Sequence, residues 1–299
     1  MAESTWEVAE PEKLTFDAPV TALHVRLVNG TVNVVGTERK DARLEVSGLE
    51  GPPLKVTLDG STLTVAYEDL PWSGILTWLG GKSRVARWSE EWRRSAVVSL
   101  SVPADTSIEV GTLGAGTVIS GVRGHTDIRG LTGDTTFVGL SGEAHAETLS
   151  GSLEAQAVTG ALRFHSLSGD LTVIEGAGSS VQADSVSGDM VIDLDPGERP
   201  TDIRLTTVSG EVAIRLPHPA DARVEANTAS GSVSNAFDDL RVTGHWGAKK
   251  ITGRLGAGTG ILRATTVSGS IALLRRPPAQ DAPYDTDTAQ ASPADTKEL

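Results

Sequence analysis

Glycine recurs every nine residues in the middle of this chain, and this spacing is the strongest constraint on its fold. The residues concerned are Gly133, Gly142, Gly151, Gly160 and Gly169. A fixed short period is typical of repeat proteins, in which each repeat packs only against its neighbours. Nine residues hold one strand and one corner and leave no room for a helix. The spacing therefore predicts stacked strands.

Polarity alternates within each repeat when positions are counted from the glycine. The second and fourth residues after it are mostly apolar, whereas the first, third and fifth are mostly polar. The residue two before the glycine is Leu or Val, and we count it with the buried face. Alternation of this kind indicates strands with one buried side. The glycine is expected to form the corner because a residue without Cβ can adopt a positive φ.

The same unit recurs beyond the regular run at wider spacing. It is found at residues 28–34, 186–194, 208–216, 229–237 and 267–275. The glycines at 169, 188, 210 and 231 are separated by 19, 22 and 21 residues, close to twice nine. We therefore predict a β-solenoid whose coil contains two strands and two corners.

The rest of the chain differs in composition from the repeats. The pattern predicts one solenoid domain over residues 14–275, preceded by an N-terminal arm at 1–13. Strands before the regular repeat, with a hairpin at Asp59-Gly60, are expected to form an N-terminal β cap. Residues 276–299 are rich in Pro and Asp and are expected to form a disordered acidic tail.

A Trp- and Arg-rich segment at residues 71–95 interrupts this pattern. It contains four of the six tryptophans and carries a net charge of +3, in a chain whose net charge is −13. Within it, residues 83–94 can form a short helix with one aromatic face. Our candidate residues for contact with a partner or a membrane are Trp72, Trp78, Trp88, Trp92, Arg84, Arg87, Arg93 and Arg94. The alternative is that the tryptophans plug the end of the solenoid.

No catalytic or cofactor motif stands out, so we expect a protein that is not an enzyme and needs no cofactor or metal. The chain contains no cysteine, which excludes disulfides and thiolate metal sites. Its negative charge argues against nucleic-acid binding. The N-terminus lacks the features of a signal peptide and no apolar stretch is long enough to span a membrane, so we expect a cytoplasmic protein.

Two sets of polar residues are weaker candidates. Carboxylates recur immediately after the glycine and could stack into an acidic ladder, which is either a solvated face or a weak cation site. Its members would be Asp134, Glu143, Asp170, Asp189 and Glu211, with Ser152 and Ala161 as interruptions. The six histidines are dispersed along the sequence and follow no metal-ligand spacing, so we interpret them as surface or turn residues.

The repeated Ser-Gly units, each followed by alternating aliphatic residues, and the V-P-A-D segment at 102–105 carry a family resemblance. Together they resemble the bacterial adhesin-type β-strand repeat family, a toastrack-type domain of unknown function. The resemblance covers roughly residues 20–275. It implies an all-β, right-handed solenoid without known catalytic residues. It also implies a link to envelope-stress signalling or adhesin-like assembly.

These observations favour a non-enzymatic scaffold that binds a protein partner. The partner is expected to be membrane-associated, with possible contact between residues 71–95 and the inner leaflet of the membrane. The alternative is a carbohydrate-binding or carbohydrate-active β-helix protein, which usually places two carboxylates across a groove lined by aromatic residues. The sequence leaves the oligomeric state open.

Overall fold

The computed structural model describes residues 3–68, 93–177, 180–195, 200, 202–245 and 247–276. This part of the chain forms 26 strands and contains no helix. The strands are β1 (Ser4–Val8), β2 (Glu12–Phe16), β3 (Ala22–Leu27), β4 (Asn29–Thr37), β5 (Ala42–Glu50), β6 (Leu54–Asp59), β7 (Thr62–Ala66), β8 (Ser95–Pro103), β9 (Ser107–Thr112), β10 (Gly116–Ser120), β11 (Thr126–Gly130), β12 (Thr135–Val138), β13 (Ala144–Thr148), β14 (Leu153–Gln156), β15 (Leu162–Ser166), β16 (Leu171–Gly176), β17 (Ser180–Ser185), β18 (Met190–Leu194), β19 (Asp202–Thr207), β20 (Val212–Leu216), β21 (Ala222–Thr228), β22 (Val233–Asn235), β23 (Leu240–His245), β24 (Ala248–Leu255), β25 (Gly260–Thr266) and β26 (Ile271–Arg275).

The strands form two large sheets. Sheet A has 14 strands in the order β1-β6-β7-β3-β9-β11-β13-β15-β17-β19-β25-β21-β24-β23, and sheet B has 12 in the order β2-β5-β8-β4-β10-β12-β14-β16-β18-β20-β26-β22. From β9 to β20 the chain alternates between the sheets, and each strand up to β18 pairs in parallel with the strand two elements later. The coil of two strands per turn is therefore confirmed, whereas its right-handed sense stays a prediction.

Equivalent positions of successive repeats stack on one another. Ala144 lies opposite Leu162 in sheet A, and Leu153 lies opposite Leu171 in sheet B. All four side chains are buried, as the period-two pattern predicts for the second residue after each glycine. Stacked rows of this kind form the core, and they contain mostly aliphatic side chains with a few aromatic ones such as Phe137.

Both ends of the stack depart from sequence order. The coil formed by β25 and β26 lies between the coil of β19–β20 and the coil of β21–β22, which comes earlier in the sequence. At the other end β7 and β8 lie between β3–β4 and the antiparallel strands β6 and β5. The corner glycines follow this order, since Gly210 faces Gly269 rather than Gly231.

Antiparallel strands stand at the N-terminal end of both sheets. β1 pairs with β6 and β2 pairs with β5, while β6 and β7 form the hairpin expected at Asp59-Gly60. Pairing begins at Ser4, inside the residues that the sequence suggested as an arm. The action of these strands as a cap stays a prediction.

The glycines at the corners have a steric role, and the prediction that they adopt a positive φ was wrong. None of the five nine-spaced glycines has a positive φ. A Cβ on Gly169 would instead lie 2.0 Å from the carbonyl oxygen of Gly151, and a Cβ on Gly160 would lie 1.8 Å from that of Gly142. Glycine is therefore required because successive corners stack more closely than any side chain allows.

Candidate functional site

The exposure of the apolar residue two before the glycine differs between the two kinds of corner in each coil. At corners that lead from sheet B to sheet A, the residues two before the glycine are buried; these are Val122, Leu140 and Val158. At corners that lead from sheet A to sheet B, called A-to-B corners below, most of the equivalent side chains are exposed, although Leu131 is half-buried against the core. Five of them, Leu149, Leu167, Val186, Val208 and Val267, are between 42% and 50% exposed. Their assignment to the buried face was therefore wrong.

These five residues, called the ridge below, lie on consecutive coils. The amide of Ser168 donates to the carbonyl of Leu149 at 3.0 Å, and the amide of Val267 donates to that of Val208 at 3.2 Å. The hydroxyl of Ser168 donates to the same Leu149 carbonyl at 3.4 Å. Strands in a sheet are about 4.8 Å apart, so the ridge is a continuous apolar line about 19 Å long.

The residue before each apolar position explains the difference between the corners. At the ridge corners it is Thr or Ser, whose oxygen accepts the glycine amide; Gly188 N donates to Ser185 Oγ at 2.9 Å. Because this hydroxyl points inward, the next side chain points outward. At the other corners the residue is Gly121, Gly139 or Ala157, with φ of 66°, 63° and 52°. This left-handed residue turns the next side chain into the core.

Carboxylates lie along the sheet B side of the ridge. Asp170 Oδ1 accepts the amide of Asp189 at 2.8 Å, and Asp189 Oδ1 accepts the amide of Glu211 at 2.7 Å. The structure thus stacks three members of the predicted acidic ladder on consecutive coils. Asp134 is separated from them by Ser152, whose amide it accepts at 2.9 Å, whereas Glu143 lies at the other kind of corner. The carboxylates of Asp170 and Asp189 accept backbone amides, and the three acidic residues leave the flank negatively charged.

The sheet A side of the ridge also carries acidic residues. A groove of about 380 Å³ runs beside Leu167 and Val186 and is lined by Glu147, His165 and Asp184 among others. His165 Nδ1 lies 3.4 Å from Asp184 Oδ2. The apolar line is therefore bordered by carboxylates on both sides.

Histidines that are dispersed in the sequence meet on the outer face of sheet A. The rings of His145 and His165 stand edge to face at 5.6 Å, and His145 Nδ1 lies 3.5 Å from Asp127 Oδ1. Sequence reasoning missed this pair because the two residues become neighbours only through the coil. Among the residues that the structure describes, no group of three or more His, Asp or Glu side chains could hold a metal ion.

A buried ion pair lies on the outer side of sheet B. Asp193 is only 6% exposed, and its Oδ1 accepts Arg215 Nε at 2.8 Å. Arg276 Nη1 lies 3.7 Å from the same oxygen. The hydrogen bond from Arg215 lowers the pKa of the Asp193 carboxyl. This cluster is neutralised internally and offers no free charge for a ligand.

Most of the contact residues predicted from sequence lie outside the described part of the chain. These are Trp72, Trp78, Trp88, Trp92, Arg84 and Arg87, and the proposed helix over residues 83–94 lies largely there too. Arg93 and Arg94 are described. Arg93 is exposed, whereas the guanidinium of Arg94 lies 5.6 Å from the centre of the buried Tyr67 ring.

Tyr67 and Arg94 stand at an A-to-B corner, between the end of β7 in sheet A and the start of β8 in sheet B. The carbonyl oxygen of Arg94 accepts two hydrogen bonds from Asn29, one from the backbone amide at 3.3 Å and one from Nδ2 at 3.2 Å. Asn29 belongs to the next A-to-B corner in the stack. The described residues on either side of residues 69–92, Tyr67 and Arg94, therefore lie on the same edge of the molecule as the ridge, which the sequence did not reveal.

Comparison with solved structures gives two weak likenesses. Two solved structures are similar over 89% of this chain: a "putative cell adhesion protein" from Clostridium sporogenes, with 12% identity, a TM-score of 0.24 and 100% of its own chain covered, and a "putative lipid binding protein" from Parabacteroides distasonis, with 10% identity, a TM-score of 0.41 and 97% covered. These likenesses are too weak to carry an argument. No curated protein matches the chain.

Within the described ranges, no helix is long and apolar enough to cross a membrane, and the cytoplasmic location stays a prediction. The Toastrack DUF4097 family model matches residues 20–274, which is most of the chain. The resemblance inferred from the Ser-Gly repeats is thereby confirmed, and the chain belongs to the Toastrack DUF4097 family.

Proposed function

We propose that this protein is a non-enzymatic scaffold that binds a partner protein along the ridge. The observation that supports this most is the row of five aliphatic side chains left 42–50% exposed on consecutive coils. Apolar surface gains about 25 cal/mol for each Å² removed from water, so a partner that covers the line is favoured. Exposed apolar groups that form one continuous feature are typical of interaction sites, whereas scattered ones are not.

The flanks of the ridge indicate the chemistry of the partner. Asp170, Asp189 and Glu211 line one side, and Glu147 and Asp184 line the other. A partner that presents apolar side chains bordered by Lys or Arg matches this pattern, and opposite charge also speeds association. Backbone hydrogen bonds between the paired strands hold the ridge in one conformation, so little conformational entropy is lost on binding.

Segment 71–95 forms a second part of the proposal. Its tryptophans and its net charge of +3 suit a membrane-associated partner or the anionic inner leaflet of a cytoplasmic membrane. Because Tyr67 and Arg94, which flank residues 69–92, lie at the edge that carries the ridge, we expect one partner to contact both the ridge and the segment.

Photo-crosslinking in the host cell tests the ridge. A photoreactive benzoyl-phenylalanine is placed at Leu167 or Val208, and at the control positions Glu154 and Arg204, which are exposed on the faces of sheets B and A. We expect the same crosslinked species from both ridge positions and none from the controls. Its loss in a Leu149→Ser, Val186→Ser variant would support the assignment. Equal crosslinking at all four positions, or none at the ridge, would refute it.

Vesicle flotation tests the segment separately. We expect wild-type protein to float with vesicles of phosphatidylethanolamine and phosphatidylglycerol but not with phosphatidylcholine alone. A Trp88→Ala, Trp92→Ala variant should lose flotation while its β-type circular dichroism is unchanged. Loss of the circular dichroism signal would favour the structural plug instead.

No observation favours the carbohydrate alternative specifically. In the described ranges every Phe and Tyr is buried, and the half-buried Trp6 packs edge to face on Phe16 at 5.2 Å. Asp170 and Asp189 are engaged by backbone amides at the ridge. The scaffold is therefore the function that the geometry supports best.

A further inference from the structure

The two ends of sheet A are open strand edges. β1 pairs with β6 on one side, and β23 pairs with β24 on one side. Neither strand has a second partner in the described part of the chain, and they are the first and last strands of the sheet. An unpaired edge presents a row of free amides and carbonyls that can accept another strand.

The two edges carry opposite charge. Residues 3–17, which contain β1 and β2, have five acidic residues and one lysine, a net charge of −4. Residues 240–255, which contain β23 and β24, have four basic residues and no acidic ones, a net charge of +4. Asp238 and Asp239 precede β23 and reduce the positive charge of that end without reversing it. Lys250 is paired with Glu225 at 2.7 Å, whereas Arg241 and Lys249 are exposed.

The two edge strands also run in the same direction. β1 is antiparallel to β6, which is antiparallel to β7, so β1 runs with the coil strands. β23 is antiparallel to β24, which is antiparallel to β21, so β23 runs with them too. Their lengths are 5 and 6 residues. A second copy shifted along the stack therefore meets β23 with β1 in parallel, without any rotation of the strand direction.

We propose that copies of this chain associate head to tail, with β23 of one copy beside β1 of the next. Two β1 edges, or two β23 edges, would bring like charges together, which disfavours symmetric edge dimers. Unlike edges attract, and such a head-to-tail contact leaves a free edge at each end. The association therefore extends into short chains and is weakened by salt.

The C-terminal tail is the competing occupant of the β23 edge. Residues 277–299 are acidic, but four prolines among them, at 277, 278, 283 and 293, lack the amide that a pairing strand needs. The β1 edge contains no proline between residues 3 and 8. A second copy therefore fits the edge better than the tail does.

Charge exchange tests the proposal with full-length protein in sedimentation velocity runs over a range of concentrations. In about 20 mM NaCl we expect concentration-dependent oligomers, and in about 300 mM NaCl an association weakened by about tenfold or more. Arg241→Glu with Lys249→Glu should abolish association, as should Glu7→Lys with Glu10→Lys. An equimolar mixture of the two variants should restore pairwise association, because the unchanged β1 edge of the first variant, with a net charge of −4, then meets the unchanged β23 edge of the second, with a net charge of +4.

A matched variant separates the charge at the edges from the total charge of the protein. Arg129→Glu with Arg163→Glu changes the net charge equally in the middle of sheet A and should leave association unchanged. A full-length protein that stays monomeric and associates only when residues 277–299 are removed would show that the tail occupies the edge, and would overturn the proposal. Monomers at every concentration and salt, or no restoration in the mixture, would overturn it as well.

Discussion

Replacing the corner glycine Gly169 with alanine is predicted to destabilise the fold strongly. The added Cβ would lie 2.0 Å from the carbonyl oxygen of Gly151 and 2.9 Å from Ser166 Oγ, whereas real Cβ atoms stay beyond 3.0 Å. The two coils must therefore separate locally by about 1 Å. The Gly151 carbonyl cannot rotate away from the added Cβ, because it belongs to the backbone.

The expected loss follows from the contacts that this separation breaks. Ser168 N donates to Leu149 O at 3.0 Å, and Leu153 N donates to Asp170 O at 2.8 Å, both between the same two coils. Each lost hydrogen bond costs about 1 kcal/mol, and overpacking costs about 1–3 kcal/mol. The free energy of unfolding should fall by about 3–5 kcal/mol, measured by urea denaturation followed by circular dichroism.

Two other glycines serve as controls. Gly139 has a φ of 63° but open space where a Cβ would be, so Gly139→Ala should cost only about 1 kcal/mol of backbone strain. Gly48 has an ordinary φ and a nearest contact of 3.6 Å, so Gly48→Ala should cost less than about 0.5 kcal/mol. If Gly139→Ala proved more damaging than Gly169→Ala, conformational freedom rather than close stacking would explain the corner glycines.

Three further substitutions have defined outcomes. Asp193→Asn should lower the free energy of unfolding by about 1–2 kcal/mol at pH 7, a modest value because Arg215 is half exposed. Since the folded protein lowers the pKa of Asp193, this difference should persist above about pH 4 and disappear as the pH falls through the folded pKa, in urea titrations at each pH. Ala157→Gly should raise the free energy of unfolding by up to about 1 kcal/mol, because Ala157 has a φ of 52° and glycine adopts this backbone conformation without strain. A decrease would show that Ala157 is not strained. Ser185→Ala should cost about 1 kcal/mol in the same assay, because the Gly188 amide loses its acceptor, and no change would show that solvent replaces it.

The repeat architecture could be predicted because stacking imposes the same requirement on every coil. Inward positions such as Leu162 and Leu171 must be apolar in each repeat, and this requirement appears in the sequence as period two within period nine. The close approach of corners requires glycine at a fixed position, which marks the repeat boundary. Local patterns of this kind do not depend on which coil lies next in the stack.

The order of the terminal coils could not be predicted for the same reason. β25–β26 and β21–β22 carry equivalent patterns, so either could follow β19–β20. The coil of β21–β22 becomes the outer one because β21 pairs with β24 in antiparallel orientation. This pairing is a long-range contact, which a local pattern does not reveal.

The ridge corners carry a recognisable signal in the sequence. A Thr or Ser three residues before the glycine, such as Ser166 or Thr207, marks a corner whose apolar residue faces solvent. A Gly or Ala there, such as Gly139 or Ala157, marks the opposite orientation. The predicted contact segment at residues 71–95 stays largely untested, because most of it lies outside the described residues.

Cysteine labelling tests the ridge most directly, because the chain contains no natural cysteine. Single cysteines at Leu167 and Val208 should react quickly with a maleimide in the purified protein and several-fold more slowly in the host cell, where a partner covers them. A cysteine at Glu154 should react equally in both settings, and one at Leu140 should be slow in both. Slow reaction of the ridge cysteines in purified protein, or no slowing in the cell, would contradict an exposed ridge that binds a partner.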